Sequence, residues 1–317
     1  MKKELTKILE KYTEVYGIIS TTHYIENRKV LNMHDRRDDY AFLDDYKSII
    51  TLGFPYPKEE AKWKGKGYGL LARFAYGMDY HKVIAKILDE IVVELNSIGI
   101  KALGRVDVDL VDEKFTAKLS GVGYYGKNSL IINPIYGNYM LLSTILVDVD
   151  IHEPNILDLD CGDCNLCVDA CPSNALENGI NKTKCISYIS QEKGALNELE
   201  ISYFKTMIYG CDICLKVCPK NKDIDLHNIA EFEPDGFENV PLQELLLMSN
   251  KAFKGKFGHN TSHWIGASTM RRNALCIIGN QKLVNLVPEI KKSMSVYHDN
   301  LWYNKTADIV LKMLERE

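Results

Sequence analysis

The chain has 317 residues, of which 46% are hydrophobic and 26% charged, and its formal net charge is −4. This composition is typical of a globular protein with two or three domains, and the acidic balance argues against a protein that coats nucleic acid indiscriminately. No stretch approaches the roughly 18 uncharged apolar residues of a membrane span, and the first residues lack the apolar core of a signal peptide. We therefore expect a cytoplasmic protein without a membrane partner, with its cysteines in a reducing compartment.

Residues 1–155 predict an α/β domain. An amphipathic helical pattern runs from Leu5 to Tyr16, and Asp79 is placed to cap a long helix that stops near Gly99. Short apolar runs predict strands at 17–19, 48–52, 129–133 and 140–149. Strands that alternate with long helices indicate the α/β class for this segment.

Two further segments follow, with boundaries predicted at 156–228 and 229–317. The first is rich in Cys, Asp, Asn and Lys and has few apolar runs, so it needs metal to hold it together. The second predicts a short α-helical, repeat-like tail in which Asn280 ends one helix. Its helices are predicted at 240–248, 268–278, 283–292 and 305–314.

Eight of the nine cysteines fall in the middle segment and show ferredoxin-like spacing. The run from Cys161 to Pro172 reads C-x₂-C-x₂-C-x₃-C-P, as in bacterial two-cluster ferredoxins. A second run, from Cys211 to Pro219, lacks its first cysteine, and Cys185 supplies an eighth thiolate. We therefore predict two [4Fe–4S] clusters, the first held by Cys161, Cys164, Cys167 and Cys218 and the second by Cys171, Cys185, Cys211 and Cys214.

Two Cys₄ zinc sites are the alternative, but zinc ribbons rarely need a third cysteine two residues on or the x₃-C-P ending. Cys276 lies in an apolar helical segment and is interpreted as a core thiol. Two neighbouring clusters pass single electrons, which a ferredoxin does with far fewer than 317 residues. We infer that the α/β segment holds an electron acceptor or a substrate site.

Further motifs complete the pattern. The segment 71–82 ends in Asp-Tyr-His-Lys, Arg105-Val-Asp107 is followed by Glu113, and 121–128 reads Gly-Val-Gly-Tyr-Tyr-Gly-Lys-Asn. Cys185 opens Cys-Ile-Ser-Tyr, and 270–274 reads Met-Arg-Arg-Asn-Ala, with Gly-Asn at 279–280. Together these motifs resemble those of the epoxyqueuosine reductases, cobalamin-dependent relatives of the reductive dehalogenases.

This resemblance implies base-off cobalamin in a nitroreductase-like α/β domain, followed by a two-cluster ferredoxin-like domain and a HEAT-like tail. The implied reaction removes the epoxide oxygen of epoxyqueuosine in tRNA, with electrons from an external donor such as a flavodoxin or ferredoxin. The family's proton donor maps onto Asp107, whose carboxyl would lie buried beside the macrocycle; from the residues alone, Asp109 and Asp112 compete equally. Cofactor contacts are predicted at Tyr80, His81, Arg105, Gly126, Lys127, Asn128 and Ser129.

Contacts with tRNA are predicted at basic and aromatic residues, although such lysines are usually just a solvated face. These residues are Lys62, Lys64, Lys66, Lys251, Lys254, Lys256, Arg271, Arg272, Trp63 and Trp264. Two other functions stay open from the residues. One is a cobalamin and iron–sulfur reductase of another small substrate, and the other is a non-catalytic electron carrier.

Overall fold

The computed structural model of the chain describes residues 2–30, 40–107 and 111–316. Its α-helices are α1 (Lys2–Leu9), α2 (Thr21–Val30), α3 (Tyr80–Ser97), α4 (Glu113–Leu119), α5 (Leu166–Asp169), α6 (Ile186–Ile189), α7 (Glu198–Ser202), α8 (Ile213–Lys216), α9 (Leu242–Leu247), α10 (Asn250–Phe257), α11 (Gly266–Asn280), α12 (Val287–Val296) and α13 (Leu301–Glu315). Its strands are β1 (Val15–Ser20), β2 (Ser48–Pro55), β3 (Tyr68–Leu71), β4 (Ala102–Arg105), β5 (Tyr124–Tyr125), β6 (Ile131–Ile132), β7 (Met140–Val147), β8 (Met207–Tyr209) and β9 (Asn239–Pro241).

The chain forms two compact units. The first consists of Met1–Tyr56, His81–Asn165 and Cys218–His227, and the second of Pro57–Tyr80, Leu166–Val217 and Asn228–Glu317. The predicted boundaries of the three sequence segments stay a prediction.

The first unit is built on an antiparallel sheet in the order β1-β2-β7-β4. The predicted strands at 17–19, 48–52 and 140–149 correspond to β1, β2 and β7, and every residue of β2 is buried. The predicted first helix ends early, at Leu9. The helix does not continue to Tyr16, because the chain turns into strand β1 near Thr13. The Thr13 hydroxyl accepts the backbone N–H of Val15 and donates to the Gly53 carbonyl in β2.

Helix α3 buries Ile84, Leu88, Ile91 and Leu95 and ends before Gly99, whose φ of 81° gives the left-handed turn expected after a helix. Gly104 in β4 permits this packing, because a Cβ there would lie 2.7 Å from the Leu88 Cβ. The predicted strand at 129–133 is reduced to the two residues of β6, which pair with β5.

The second unit has a three-stranded sheet in the order β8-β3-β9, with β3 parallel to β8 and antiparallel to β9. Its core surrounds α11, which is buried from Thr269 to Gly279. The predicted tail helices appear as α9, α11, α12 and α13, and α11 ends at Asn280 as predicted. Helix α10, which the sequence did not predict, begins after Ser249, whose hydroxyl accepts the backbone N–H of Ala252.

Candidate functional site

The first unit brings two predicted site residues into direct contact. His81 lies in the first turn of α3, and its Nε2 is 3.0 Å from Oδ2 of Asp107, just beyond β4. The Asp107 side chain is 61% exposed and that of His81 35% exposed. Asp107 also has a φ of 49°, in the left-handed region that non-glycine residues rarely occupy. The pair can hold a proton at a position that solvent can reach. Asp107 keeps this position although its backbone conformation is unfavourable.

Glu113 holds the main chain of this strained residue. It is the first residue of α4, and one carboxylate oxygen accepts the backbone N–H of Asp107 at 2.8 Å. The pKa of Glu113 is raised to about 8, mainly by burial and also by the Asp107 carboxylate, although the backbone hydrogen bond and the charge of His81 act to lower it. The raised pKa expected of a buried Asp107 is therefore found at Glu113, which is partly buried. The sequence pointed to this residue only as part of a motif, because its spacing from Asp107 did not reveal the contact.

Helix α4 also connects this pair to the predicted loop 126–129. The Nζ of Lys114 donates to the Ser129 carbonyl at 3.1 Å, and Ser129 has a φ of 60°. The Asn128 side chain is only 4% exposed, and its Nδ2 has no hydrogen-bond partner in the described parts of the chain. A Cβ at Gly126 would lie 2.7 Å from Oδ1 of Asn128, so the loop packs tightly against this amide. The loop therefore places a buried donor without a described partner next to the strained backbone of Ser129.

The remaining residues predicted to contact the cofactor, and the two acids that compete with Asp107, have different structural environments. Arg105 is half-buried in β4, and Lys127 donates to Oδ1 of Asn165 at 2.9 Å. Tyr80 begins α3 and belongs to the second unit, where its ring meets Phe74 edge-on at 6.4 Å. Asp112 caps α4 by accepting the backbone N–H of Phe115, which is a structural role. The other competing acid, Asp109, lies outside the described residues.

Three of the cluster cysteines belong to the first unit and lie near one another. Burial raises the pKa of the Cys218 thiol, and the charges of Cys161 and Cys164 raise it further. Such an environment disfavours bare thiolates but suits thiolates bound to a cationic iron–sulfur core. The donor set therefore fits a cluster.

The second unit contains the remaining cysteines of the motif. Burial, then Asp212, Cys185 and Cys171, raise the pKa of Cys211 to about 12. The pKa of the Cys214 thiol is raised by burial and by the charges of Cys211 and Cys185. Sγ of Cys171 accepts the backbone N–H of Ala175 at 3.4 Å, the kind of bond that tunes cluster potentials. Cys185 thus lies among the other cysteines of the predicted second set, as the ligand assignment requires.

The arginines of the tail have a role that the sequence did not reveal. Arg271 and Arg272 are 2% and 1% exposed, so the prediction that they contact tRNA is wrong. Arg272 donates to the carbonyls of Ile189, Glu192 and Gly194 at 2.6 to 3.0 Å. These bonds satisfy one buried and two partly buried carbonyl groups at the end of α6 and in the loop that follows it.

Cys276 is fully buried on α11, and its thiol donates to the Arg272 carbonyl at 3.3 Å, which confirms it as a core residue. In the described segments, no three His, Cys, Asp or Glu side chains converge as a site for a single metal ion. No helix in those segments has both the length and the apolar character needed to cross a membrane.

Comparisons with known proteins agree with these features. A family model described as "4Fe-4S double cluster binding domain" matches residues 160–221, which contain all eight cysteines of the motif and thus establish two [4Fe–4S] clusters rather than zinc. A model described as "Epoxyqueuosine reductase QueG, DUF1730" matches residues 36–109.

Similar proteins extend the match over most of the chain. An epoxyqueuosine reductase of Lactococcus garvieae is 36% identical over 267 residues, covering 82% of this chain and 76% of the relative. The structure of epoxyqueuosine reductase from Streptococcus thermophilus superposes with a TM-score of 0.87 at 27% identity, covering 100% of this chain and 91% of that one. An epoxyqueuosine reductase crystallised with an epoxyqueuosine-modified tRNA-Tyr stem loop has a TM-score of 0.82 at 26% identity, with 98% of both chains covered. This chain is an oxidoreductase that belongs to the epoxyqueuosine reductase family.

Proposed function

We propose that this protein reduces epoxyqueuosine to queuosine in cytoplasmic tRNA, using bound cobalamin and its two [4Fe–4S] clusters. The observation that carries the proposal is the contact between His81 and Asp107 in a chain of this family. The similar reductase crystallised with a modified tRNA stem loop supports tRNA as the substrate.

The reaction needs two electrons and two protons. The epoxide becomes an alkene, and its oxygen leaves as water. Oxygen departs as a developing alkoxide, so a positioned acid that protonates it lowers the barrier. We assign this proton to the Asp107 carboxyl group. His81, 3.0 Å away, returns a proton to Asp107 after transfer, because its ordinary pKa lies near neutrality.

The loop 126–129 supplies the groups that would hold cobalamin. The amide of Asn128 has a donor without a partner in the described residues, which suits the amide carbonyls around a corrin ring. The backbone at Ser129 is held through Lys114, one residue after Glu113, so α4 fixes both the cofactor loop and the acid. When bound, cobalamin supplies a cobalt centre that can pass electrons to a carbon atom.

Electrons arrive singly through the clusters, and we assign their supply to an external flavodoxin or ferredoxin. A cavity of about 150 Å³ beside Cys211 is lined partly by Lys205, Lys216 and Asp212, and Lys216 is paired with Glu60. Such carriers are commonly acidic, and the exposed Lys205 near a cluster ligand favours their approach.

The test is anaerobic reconstitution with iron, sulfide and cobalamin, followed by metal analysis and nucleoside analysis of epoxyqueuosine-containing tRNA. We expect about eight irons and about one cobalt per chain, with epoxyqueuosine converted to queuosine when reductant is present. Iron and cobalt without turnover of tRNA would favour reduction of another small substrate. Iron without cobalt would leave an electron carrier and overturn the proposal.

A further inference from the structure

A groove of about 430 Å³ opens at the start of α11 in the second unit. Its lining has several basic and aromatic side chains and no carboxylate among the described residues. The residues that matter here are Lys193, Lys254, His263, Trp264 and Thr269. A groove with this lining has the electrostatic character of an anion site.

The helix that begins in this groove leaves its N-terminus uncapped. Helix α11 has 15 residues, and the residue before it, Ile265, provides no side-chain hydrogen bond. The first N–H groups of a helix lack intrahelical acceptors, and the helix dipole favours an anion beside them. Gly266 has a φ of 77°, and a Cβ there would meet nothing within 4 Å, so the backbone is open to a ligand.

Thr269 gives an independent indication of a polar ligand. Its side chain is 99% buried and lines the groove, yet its hydroxyl has no hydrogen-bond partner among the residues that the structure describes. Buried hydroxyl groups in native proteins nearly always have a partner. An oxyanion in the groove would accept this hydrogen bond.

The charges of the groove are available to a ligand. Lys193 and Lys254 are exposed, and neither pairs with a carboxylate within the described ranges. Lys256, two residues further along α10, is instead paired with Glu244 at 2.9 Å. The His263 ring stacks on Phe253 with centroids 6.0 Å apart, which fixes a third basic group at the groove.

Trp264 adds a flat apolar surface beside these charges. Its indole Nε1 donates to the Tyr209 hydroxyl at 2.9 Å, yet 62% of the residue is exposed. One edge of the ring is therefore anchored while much of its surface stays open. Rigid exposed aromatic rings of this kind stack unpaired bases of single-stranded RNA.

We propose that this groove binds a backbone phosphate of tRNA at the N-terminus of α11 and stacks an adjacent unpaired base on Trp264. The identity of the RNA rests on the proposed function. The site contributes affinity and takes no part in the chemistry.

The test measures binding of an unmodified anticodon stem loop to the reconstituted protein by fluorescence anisotropy, as a function of salt. The Lys193→Met/Lys254→Met double variant should bind about 10- to 100-fold more weakly, with a salt slope smaller by about 0.7–0.9 for each phosphate that the protein no longer neutralises. Trp264→Ala should weaken binding by about 5- to 100-fold and change the salt slope little. The matched control is Lys312→Met, an exposed lysine on α13, which should leave affinity unchanged.

Methylphosphonate substitution along the stem loop separates a phosphate site from a general loss of charge. Neutralising one linkage should weaken binding to the wild type and to Lys312→Met, but have no further effect on the double variant. Thr269→Val, which is isosteric, should reduce the penalty of that same linkage. If wild-type protein binds the stem loop and the double variant binds equally well, the groove assignment is wrong and the proposed function stands. If the wild type does not bind the stem loop at all, both are wrong.

Discussion

Glu113 accepts the backbone N–H of Asp107 at 2.8 Å, so the proposed proton donor is held by its main chain as well as by its contact with His81. The left-handed backbone of Asp107 is unfavourable for an aspartate and needs such support. Two residues on different helices thus position Asp107, His81 through its carboxyl group and Glu113 through its main chain.

Replacing Asp107 by Asn should lower kcat by about 10²- to 10⁴-fold, the usual contribution of a positioned general acid. An amide keeps the shape of the side chain but cannot give up a proton in this way. Iron and cobalt content should be unchanged. Asp89→Asn, at an exposed position on α3, is the matched control and should retain wild-type turnover. Equal kcat values for the two variants would exclude Asp107 as the donor.

Two replacements of Glu113 should separate the effect of its hydrogen bond to the Asp107 main chain from the effect of its ionisation. Glu113→Gln keeps an acceptor for the Asp107 N–H, while Glu113→Ala removes it and should lower kcat about tenfold, the value of one hydrogen bond. Above about pH 8 the ionised Glu113 carboxylate favours the protonated form of the nearby Asp107, so kcat should fall less steeply with rising pH in the wild type than in Glu113→Gln. A pH profile of Glu113→Gln that matches the wild type would show that Glu113 does not influence the proton on Asp107.

The same group predicts how stability depends on pH. The pKa of Glu113 rises from its ordinary value of 4.5 to about 8 in the folded protein. Between these values the folded state keeps a proton that the unfolded state has lost, so the free energy of unfolding should decrease as pH rises from 4.5 to 8. Denaturant titrations at about pH 5 and about pH 8.5, either end of this window, should show a smaller difference for Glu113→Gln than for the wild type. An equal difference in both proteins would contradict the assignment.

Replacing Cys185 by Ser should remove one cluster and leave about four of eight irons. The reason is that Cys185 lies with Cys211 and Cys214 in the second unit, where no other cysteine of the motif can replace it in the predicted ligand set. Cys276→Ala is the control and should keep all the iron, because this thiol lies in the core. Iron analysis and absorbance spectra provide the measurement, and a full iron content in Cys185→Ser would refute the ligand assignment.

Replacing Arg272 by Met should reduce the free energy of unfolding by about 3–5 kcal/mol, because one buried and two partly buried carbonyl groups lose charge-assisted partners. The carbonyls in question belong to Ile189, Glu192 and Gly194. Arg316→Met, which breaks only an exposed pair with Glu198, should change stability little. Chemical denaturation of both variants checks the difference, and similar midpoints would show that the carbonyls find other partners.

The sequence was most informative where the signal is local. Periodic apolar residues predicted α3, Asn280 predicted the end of α11, and cysteine spacing predicted the clusters. It was misleading where distant parts of the chain meet. Arg271 and Arg272 resemble surface charges in sequence, but one stacks on Tyr297 and the other binds carbonyls about 80 residues away. The hydrogen bond between Glu113 and the Asp107 main chain depends on the left-handed backbone of Asp107, which no pattern of residues in the sequence predicted.

The contacts of the tail also bear on how the protein is made. Arg272 and Asn273 bond the main chain at Ile189 and Ser190, at the C-terminal end of the short helix that Cys185 precedes. A nascent chain in which Arg272 and Asn273 have not yet been synthesised lacks the hydrogen bonds that hold the helix next to Cys185. We therefore expect the second cluster to be retained only late in biogenesis, after the C-terminal helices have emerged from the ribosome and packed.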